Sequence, residues 1–551
     1  MSTSDTLSES NVSLRKDCCF WYSQRHAAGP RGPLSLFRNT TVVGAWTLLS
    51  RISGMARDMV YSQVFGAGAL MDAFFVAFKI PNFLRRLSAE GAFSQAFVPV
   101  ISEYKVKQTP EEVRALVGGV AGTFGVALFV LTLIGVVAAP ILILVFAPGF
   151  RADGTRFDLA VQMLHWTFPY IFFISLVSLC SGVLNSYGRF GAPAFTPVLM
   201  NVVMIAFALW VAPLFAQPGV GLAIGVFAAG AAQLFFLGPV VVRLGVAGRP
   251  RWAWSHDGVR RIGNLMLPGI FGSSVAQVSL LLDSVIASFL MTGSVSWLYY
   301  SDRLVEFPMG VFTIALATVI LPGLSAHHAQ QSPERFAAML DWAVRLVVLI
   351  VTPAAVGLLV LAGPLIATIY ARGAFDAHDA AMSTYALMAY SLGLIGFSMV
   401  KVLAPGYFAR QDARTPVRIG VFSLGINIGF NVAVVLPAAK LWNFPAPHAL
   451  LALSTGLAAF VNSALLFRGL RRTGVYRAGK GWKRLALQVL AANAAMAGLL
   501  WWLAGDLTQW LAWDSWTRVY RLAGLVLAGG ALYFAVLALL GLRVRDLRRT
   551  L

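Results

Sequence analysis

The chain has 551 residues, 58% of them hydrophobic and only 12% charged, with a formal net charge of +20. That is about half the charged fraction of an ordinary soluble domain, which excludes a purely water-soluble enzyme. Cys18, Cys19 and Cys180 have neither metal-ligand nor disulfide spacing, so cysteine chemistry is not expected.

The first forty residues are polar and lack an apolar core of signal-peptide length, so 1–40 is expected to be a disordered cytoplasmic extension. Apolar runs of membrane-spanning length then recur fourteen times, at 41–65, 69–100, 116–146, 158–185, 192–213, 219–242, 262–290, 295–325, 339–369, 379–408, 415–437, 446–467, 484–504 and 520–541. The expected fold class is an all-α membrane protein with 14 transmembrane helices. Assigning the loops alternately puts 24 Lys and Arg on one side and 6 on the other. Basic loops resist translocation, so the N- and C-termini are both expected in the cytoplasm. Most of the net charge is therefore topological, and no nucleic-acid partner is expected.

An internal repeat organises these runs. Pro140 in AAPILILVFAPGF (138–150) aligns with Pro364 in AGPLIATIYARGAF (362–375) at an offset of 224, and Pro99 aligns with Pro322 at 223. Transporters are commonly built from two related halves around a central site. Residues 41–242 are expected to form one six-helix lobe and 262–467 a second in parallel orientation. The basic stretch 243–261 links them, and 468–551 adds two helices and a basic tail.

Three runs carry charges where lipid should be. In SRISGMARDMVYSQVFG (50–66), helical spacing places Arg51, Arg57, Asp58 and Tyr61 within one arc, opposite Ile52, Met55, Ala56 and Met59. The second run carries Asp72, Lys79 and Arg86 at intervals of seven, with Arg85 beside them and Pro81 expected to break the hydrogen-bond ladder and kink the helix, so that either arginine can face inward. The eighth carries Asp302, Arg303 and Glu306, with Arg303 and Glu306 spaced to pair and Pro308 as a second expected kink. Each central charge costs about 2.5–3.5 kcal/mol on insertion scales, so these faces require a wet cavity or fixed partners. Ion pairs and snorkelling side chains are the structural alternative. Six cations (Arg51, Arg57, Lys79, Arg85, Arg86, Arg303) against four carboxylates (Asp58, Asp72, Asp302, Glu306) leave the expected cavity at +2, a site for an anion. The predominance of arginine suits paired phosphate oxygens. Asp283 and Lys401, each alone on a second-half run, are candidates for ion coupling.

No HExxH, CxxC or nucleophile elbow occurs, and the histidines do not cluster with carboxylates. No catalysis, metal or cofactor is expected. GVYRAGKG (474–481) matches GxxxxGK but has Gly481 where a magnesium-binding hydroxyl belongs and no strand before it, so no nucleotide partner is expected either.

The stretches SRISGMARD, MDAFFVAFKIPNFLRRLSAEGAFSQAFVP, SVSWLYYSDRLVEFPMGV (294–311) and KVLAPGYFARQDARTPV (401–417) resemble the MurJ (MviN) family of lipid II flippases, in the multidrug/oligosaccharidyl-lipid/polysaccharide exporter superfamily. The likeness runs from about residue 34 to the C-terminus. It implies two six-helix lobes around a cationic cavity, a groove from the last two helices for a polyprenyl tail, and a bacterial inner-membrane location. It also implies substrate-binding roles for Arg51, Arg57, Arg85, Arg303 and Asp72, supported by Asp58, Lys79, Arg86, Asp302 and Glu306. The expected function is movement of lipid II to the periplasmic leaflet by alternating access, with lipid II, membrane lipid and peptidoglycan-synthesis proteins as partners. The alternatives are a flippase for another polyprenyl-linked oligosaccharide, a cation-coupled drug exporter and a membrane scaffold. A drug exporter should have a cavity dominated by carboxylates and aromatics.

Overall fold

The computed structural model describes residues 33–86 and 93–542, with backbone alone at 33–40 and 267–280. The expected extension therefore lies outside the described residues up to position 32, as does the tail from 543. Helix α1 (Pro33–Phe65) begins ahead of the apolar run it contains. The first half continues with α2 (Ala69–Arg85), α3 (Ser94–Lys107), α4 (Pro110–Val137), α5 (Ala139–Phe146), α6 (Gly154–Thr167), α7 (Tyr170–Ser186), α8 (Gly191–Ala206) and α9 (Pro218–Arg243). The second comprises α10 (Asp257–Ser288), α11 (Ser294–Pro308), α12 (Ile314–Ala329), α13 (Pro333–Val360), α14 (Ala362–Ile369), α15 (Ala377–Phe408), α16 (Arg414–Phe430), α17 (Leu436–Lys440) and α18 (Pro447–Arg472). Helices α19 (Trp482–Ala504), α20 (Leu507–Ala512) and α21 (Ser515–Leu539) are the last among the described residues.

Eleven helical spans are long and apolar enough to cross a membrane among the described residues. The apolar runs outside these eleven coincide with α1, α2–α3 and α10, and the first two of these carry the charge clusters. Pro81 lies inside α2, which runs on to Arg85. Pro308 does end α11, where a π-helical turn, Met309–Thr313, precedes α12.

The repeat reappears as matched helix lengths. Helices α4 and α13 both have 28 residues, α5 and α14 both have eight, and the members of each pair begin 223 positions apart. π-helical turns follow α8 and α16, at Phe207–Val211 and Asn431–Val435. Local sequence sets several of the starts. Thr109 and Glu112 form a capping box ahead of Pro110, with Glu112 accepting from the Thr109 N–H at 2.8 Å. Asp376 caps α15 through the Asp379 N–H at 2.8 Å.

Small residues bring helix backbones close, as lipid-embedded packing requires. On the α15–α18 contact, a Cβ at Gly393 would lie 2.7 Å from the Gly456 Cα, and one at Gly396 would lie 2.9 Å from the Phe460 amide nitrogen. The final helices dock on α13 and α14. The Tyr533 hydroxyl donates to the Leu349 carbonyl at 2.8 Å, and the Arg518 guanidinium donates to the carbonyls of Ala367 (2.9 Å) and Ala371 (2.8 Å).

The halves meet along a seam where α1 turns into α2. The Ala374 N–H donates to the Gln63 carbonyl, and the Gly149 N–H donates to Ser288 Oγ, each at 2.9 Å. A Cβ at Gly373 would strike the Gln63 carbonyl oxygen, and one at Gly149 the Ser288 carbonyl oxygen. Far from this seam along the chain, Arg261 pairs with Glu103 at 2.8 Å. Hydrogen bonds from Lys107 and Arg261 hold the Glu103 carboxyl below the usual range.

Candidate functional site

Helices α1 and α11, from opposite halves, bring their charged faces together through direct side-chain contacts. Arg57 and Asp58 are 2% and 1% exposed, so neither charge is left to bulk water. Arg57 donates through Nε (3.0 Å) and Nη2 (2.7 Å) to Asp58 Oδ1, and through Nη1 to Asn201 Oδ1 at 3.1 Å. Asn201, on α8, anchors itself to α1 by donating to the Ser50 carbonyl (3.2 Å) and Ser53 Oγ (3.0 Å). Arg303 reaches across from α11: its Nε lies 3.1 Å from Asp58 Oδ2, and its Nη1 donates to Glu306 at 2.8 Å. The Tyr299 hydroxyl sits between the two guanidinium groups, 3.0 Å from Arg57 Nη2 and 3.1 Å from Arg303 Nη2.

Of the other cations, Arg51 lies on α1, Lys79 and Arg85 on α2, and Arg86 just beyond it. The Arg51 guanidinium lies against the Gly310 backbone of the π-helical turn after α11, about 9 Å along α1 from Arg57. Lys79 is within electrostatic reach of Asp283 on α10 and Asp302 on α11. Arg85 donates to Asn82 Oδ1 at 3.2 Å, and Arg86 is exposed. Arg57 and Arg303 can thus offer planar, paired donors from two helices to one anion.

Asp72 is placed elsewhere. It is fully buried, accepts from the N–H groups of Gly293 (2.7 Å) and Ser296 (2.9 Å) and from the Ser296 hydroxyl (2.6 Å), and thereby caps α11 from the other half. Arg156 lies 3.8 Å from it. The structure therefore separates Asp72 from the arginines with which the sequence grouped it, and the remaining acidic company includes Asp283 instead. Asp283 Oδ2 is 3.5 Å from Thr455 Oγ1, and its buried Oδ1 has no hydrogen-bond partner. Lys401 is exposed on α15. Among the described residues no group of His, Cys, Asp and Glu is arranged to hold a metal ion.

Sequence reasoning missed Asn201, Tyr299 and Arg156. An asparagine inside the apolar run LMNVVM was the available signal for Asn201, and the four-residue spacing to Arg303 was the one for Tyr299.

Eleven apolar spans among the described residues, with helices of matching length in the two parts of the chain, place the molecule among polytopic helical membrane proteins. The family model "Lipid II flippase MurJ" matches residues 61–521. A Vibrio cholerae protein described as a probable lipid II flippase MurJ is 45% identical over 520 residues, covering 93% of this chain and 98% of its own. The Burkholderia cenocepacia lipid II flippase MurJ is 41% identical over 522 residues, covering 94% and 99%. This chain belongs to the lipid II flippase MurJ family. A solved "Lipid II flippase MurJ, inward closed conformation" shares the fold at a TM-score of 0.75 and 24% identity, covering 92% of this chain and all of the other. An inward-facing multidrug resistance transporter of the MATE family superposes at 0.61 and 13% identity, covering 79% and 98%.

Proposed function

We propose that this protein flips lipid II from the cytoplasmic to the periplasmic leaflet of a bacterial inner membrane by alternating access. The observation that carries the reading is the cross-half cluster of Arg57, Asp58, Tyr299, Arg303 and Glu306. In it, two guanidinium groups converge from opposite sides of a crevice onto shared oxygens. A substrate pyrophosphate supplies oxygens of the same geometry and replaces the carboxylates as acceptor, so binding exchanges one set of charge-assisted hydrogen bonds for another. Arg51, Lys79 and Arg85 contribute to the field, and Asp72 acts through the α11 cap.

The fourteen-helix count, both termini in the cytoplasm and two lobes at 41–242 and 262–467 are part of this reading. The matched helix lengths and the loop-charge asymmetry support them. The role is transport without catalysis, cofactor or nucleotide. Asp283, with an unpartnered carboxylate oxygen beside Thr455, is the stronger of the two ion-coupling candidates.

Depletion of the protein followed by leaflet-resolved extraction of lipid-linked precursors tests the function. The expected result is lipid II accumulating on the cytoplasmic face. Unchanged lipid II distribution, or accumulation of another polyprenyl-linked oligosaccharide, contradicts it.

A further inference from the structure

We propose that Tyr299 is a positioning residue that sets the spacing of the Arg57 and Arg303 guanidinium groups, and so makes the crevice select a diphosphate over a monophosphate. The inference rests on the anion-binding reading of that crevice. It stands on the placement of one oxygen. The Tyr299 hydroxyl accepts from Arg57 Nη2 at 3.0 Å and from Arg303 Nη2 at 3.1 Å and Nε at 3.3 Å, and it donates to Asp58 Oδ1 at 3.2 Å. One neutral atom thus contacts three charged groups from both halves.

The ring is held so that this atom has little freedom. It stacks on Phe75 of α2 with centroids 3.8 Å apart and planes at 20°, and the Arg303 guanidinium lies over its face at 5.2 Å. A phenol has two χ angles, so a stacked ring fixes its oxygen more tightly than either arginine fixes its own fork. Two guanidinium groups repel, and Asp58 alone leaves them free to swing apart onto Asn201 and Glu306, which each already touches. The hydroxyl pins the inner nitrogen of each at one distance. A diphosphate presents two phosphoryl groups to two forks at a set spacing. A monophosphate engages one fork and is indifferent to where the other lies.

The test is Tyr299→Phe, which keeps the ring and its stacking and deletes only the oxygen. Binding of undecaprenyl diphosphate and undecaprenyl monophosphate to the purified full-length protein in detergent is measured side by side. In the parent protein the diphosphate should bind more tightly. In Tyr299→Phe that preference should shrink by about tenfold, the size of a lost hydrogen bond to a charged group, with monophosphate affinity unchanged. Phe75→Leu, which removes the stacking partner and keeps the hydroxyl, should lower the preference less. An unchanged ratio in Tyr299→Phe overturns the proposal. So does an equal loss for both lipids, or a variant that fails to accumulate as folded protein, since either makes the hydroxyl a general structural element. A parent protein that binds neither lipid, or both equally, instead overturns the anion-site reading beneath it.

Discussion

Arg57 spends donors on three acceptors lying in different directions: Asp58, Asn201 and Tyr299. A lysine carries the same charge on a single nitrogen and cannot span them. Arg57→Lys and Arg303→Lys should therefore slow lipid II flipping at least tenfold while protein abundance stays normal, because Asp58 keeps a cationic partner. Arg57→Ala should also lower abundance, since a carboxylate 1% exposed loses a guanidinium that contacts it through two nitrogens, a change costing about 3–5 kcal/mol for buried pairs. Complementation measured alongside protein level separates the two effects, and full complementation by the lysine variants would mean that only the field matters. The charged members of this site were legible in the sequence because a charge in an apolar run is conspicuous. Asn201 and Tyr299 left only weak signals, a polar residue in an apolar run and a four-residue spacing to Arg303, which gain meaning once the fold brings Arg57 to both. The grouping of Asp72 with the arginines went astray for a related reason: a helical wheel gives the face of a residue but not what the opposing helix end demands, here an acceptor for the first N–H groups of α11.

At the scale of elements, the repeat has a mechanical consequence. Gly149 and Gly373 are 224 positions apart, the offset that aligns Pro140 with Pro364, and each lies against the end of the first long helix of the opposite half. The seam is built twice by the same device. Gly373 also holds a left-handed φ of 59°, which disfavours any side chain. Gly373→Ala and Gly149→Ala should each loosen the seam, by roughly 1–3 kcal/mol for an overpacked contact, and raise the reactivity of a cysteine placed at Ser288 or Gln63. Reactivity unchanged in both variants would show that the seam does not close this end. Asp72→Asn should act in the same direction, because it removes the charge from the α11 cap. The helix runs and the repeat were readable from apolar length and proline spacing. The π-helical turn after Pro308 was not, since a proline marks a distortion but not the hydrogen-bond pattern that absorbs it.

For the whole molecule, charge decides which step of the cycle feels the membrane potential. If the six cations and four carboxylates read from the sequence face the substrate path, the empty site carries about +2. Loaded with a pyrophosphate of about −2, the carrier is close to neutral. Empty, it returns about two positive charges toward the negative cytoplasm, a step favoured by up to about 4.6 kcal/mol per 100 mV if both cross the whole field. Collapsing the potential while keeping the proton gradient should stop turnover and leave the protein outward-open, as read by cysteine accessibility of the crevice. A protein trapped inward-open under the same treatment would point back to Asp283 as a coupling residue. The measurement that bears most directly on the central claim is simpler. Purified protein in liposomes containing lipid II, with an inside-negative potential across the bilayer, is followed by leaflet-resolved accessibility of the lipid. Lipid II should redistribute between leaflets with the parent protein and stay in place with Arg57→Ala/Arg303→Ala. Redistribution no faster than in protein-free liposomes, or undiminished in the double variant, would contradict flipping through this crevice.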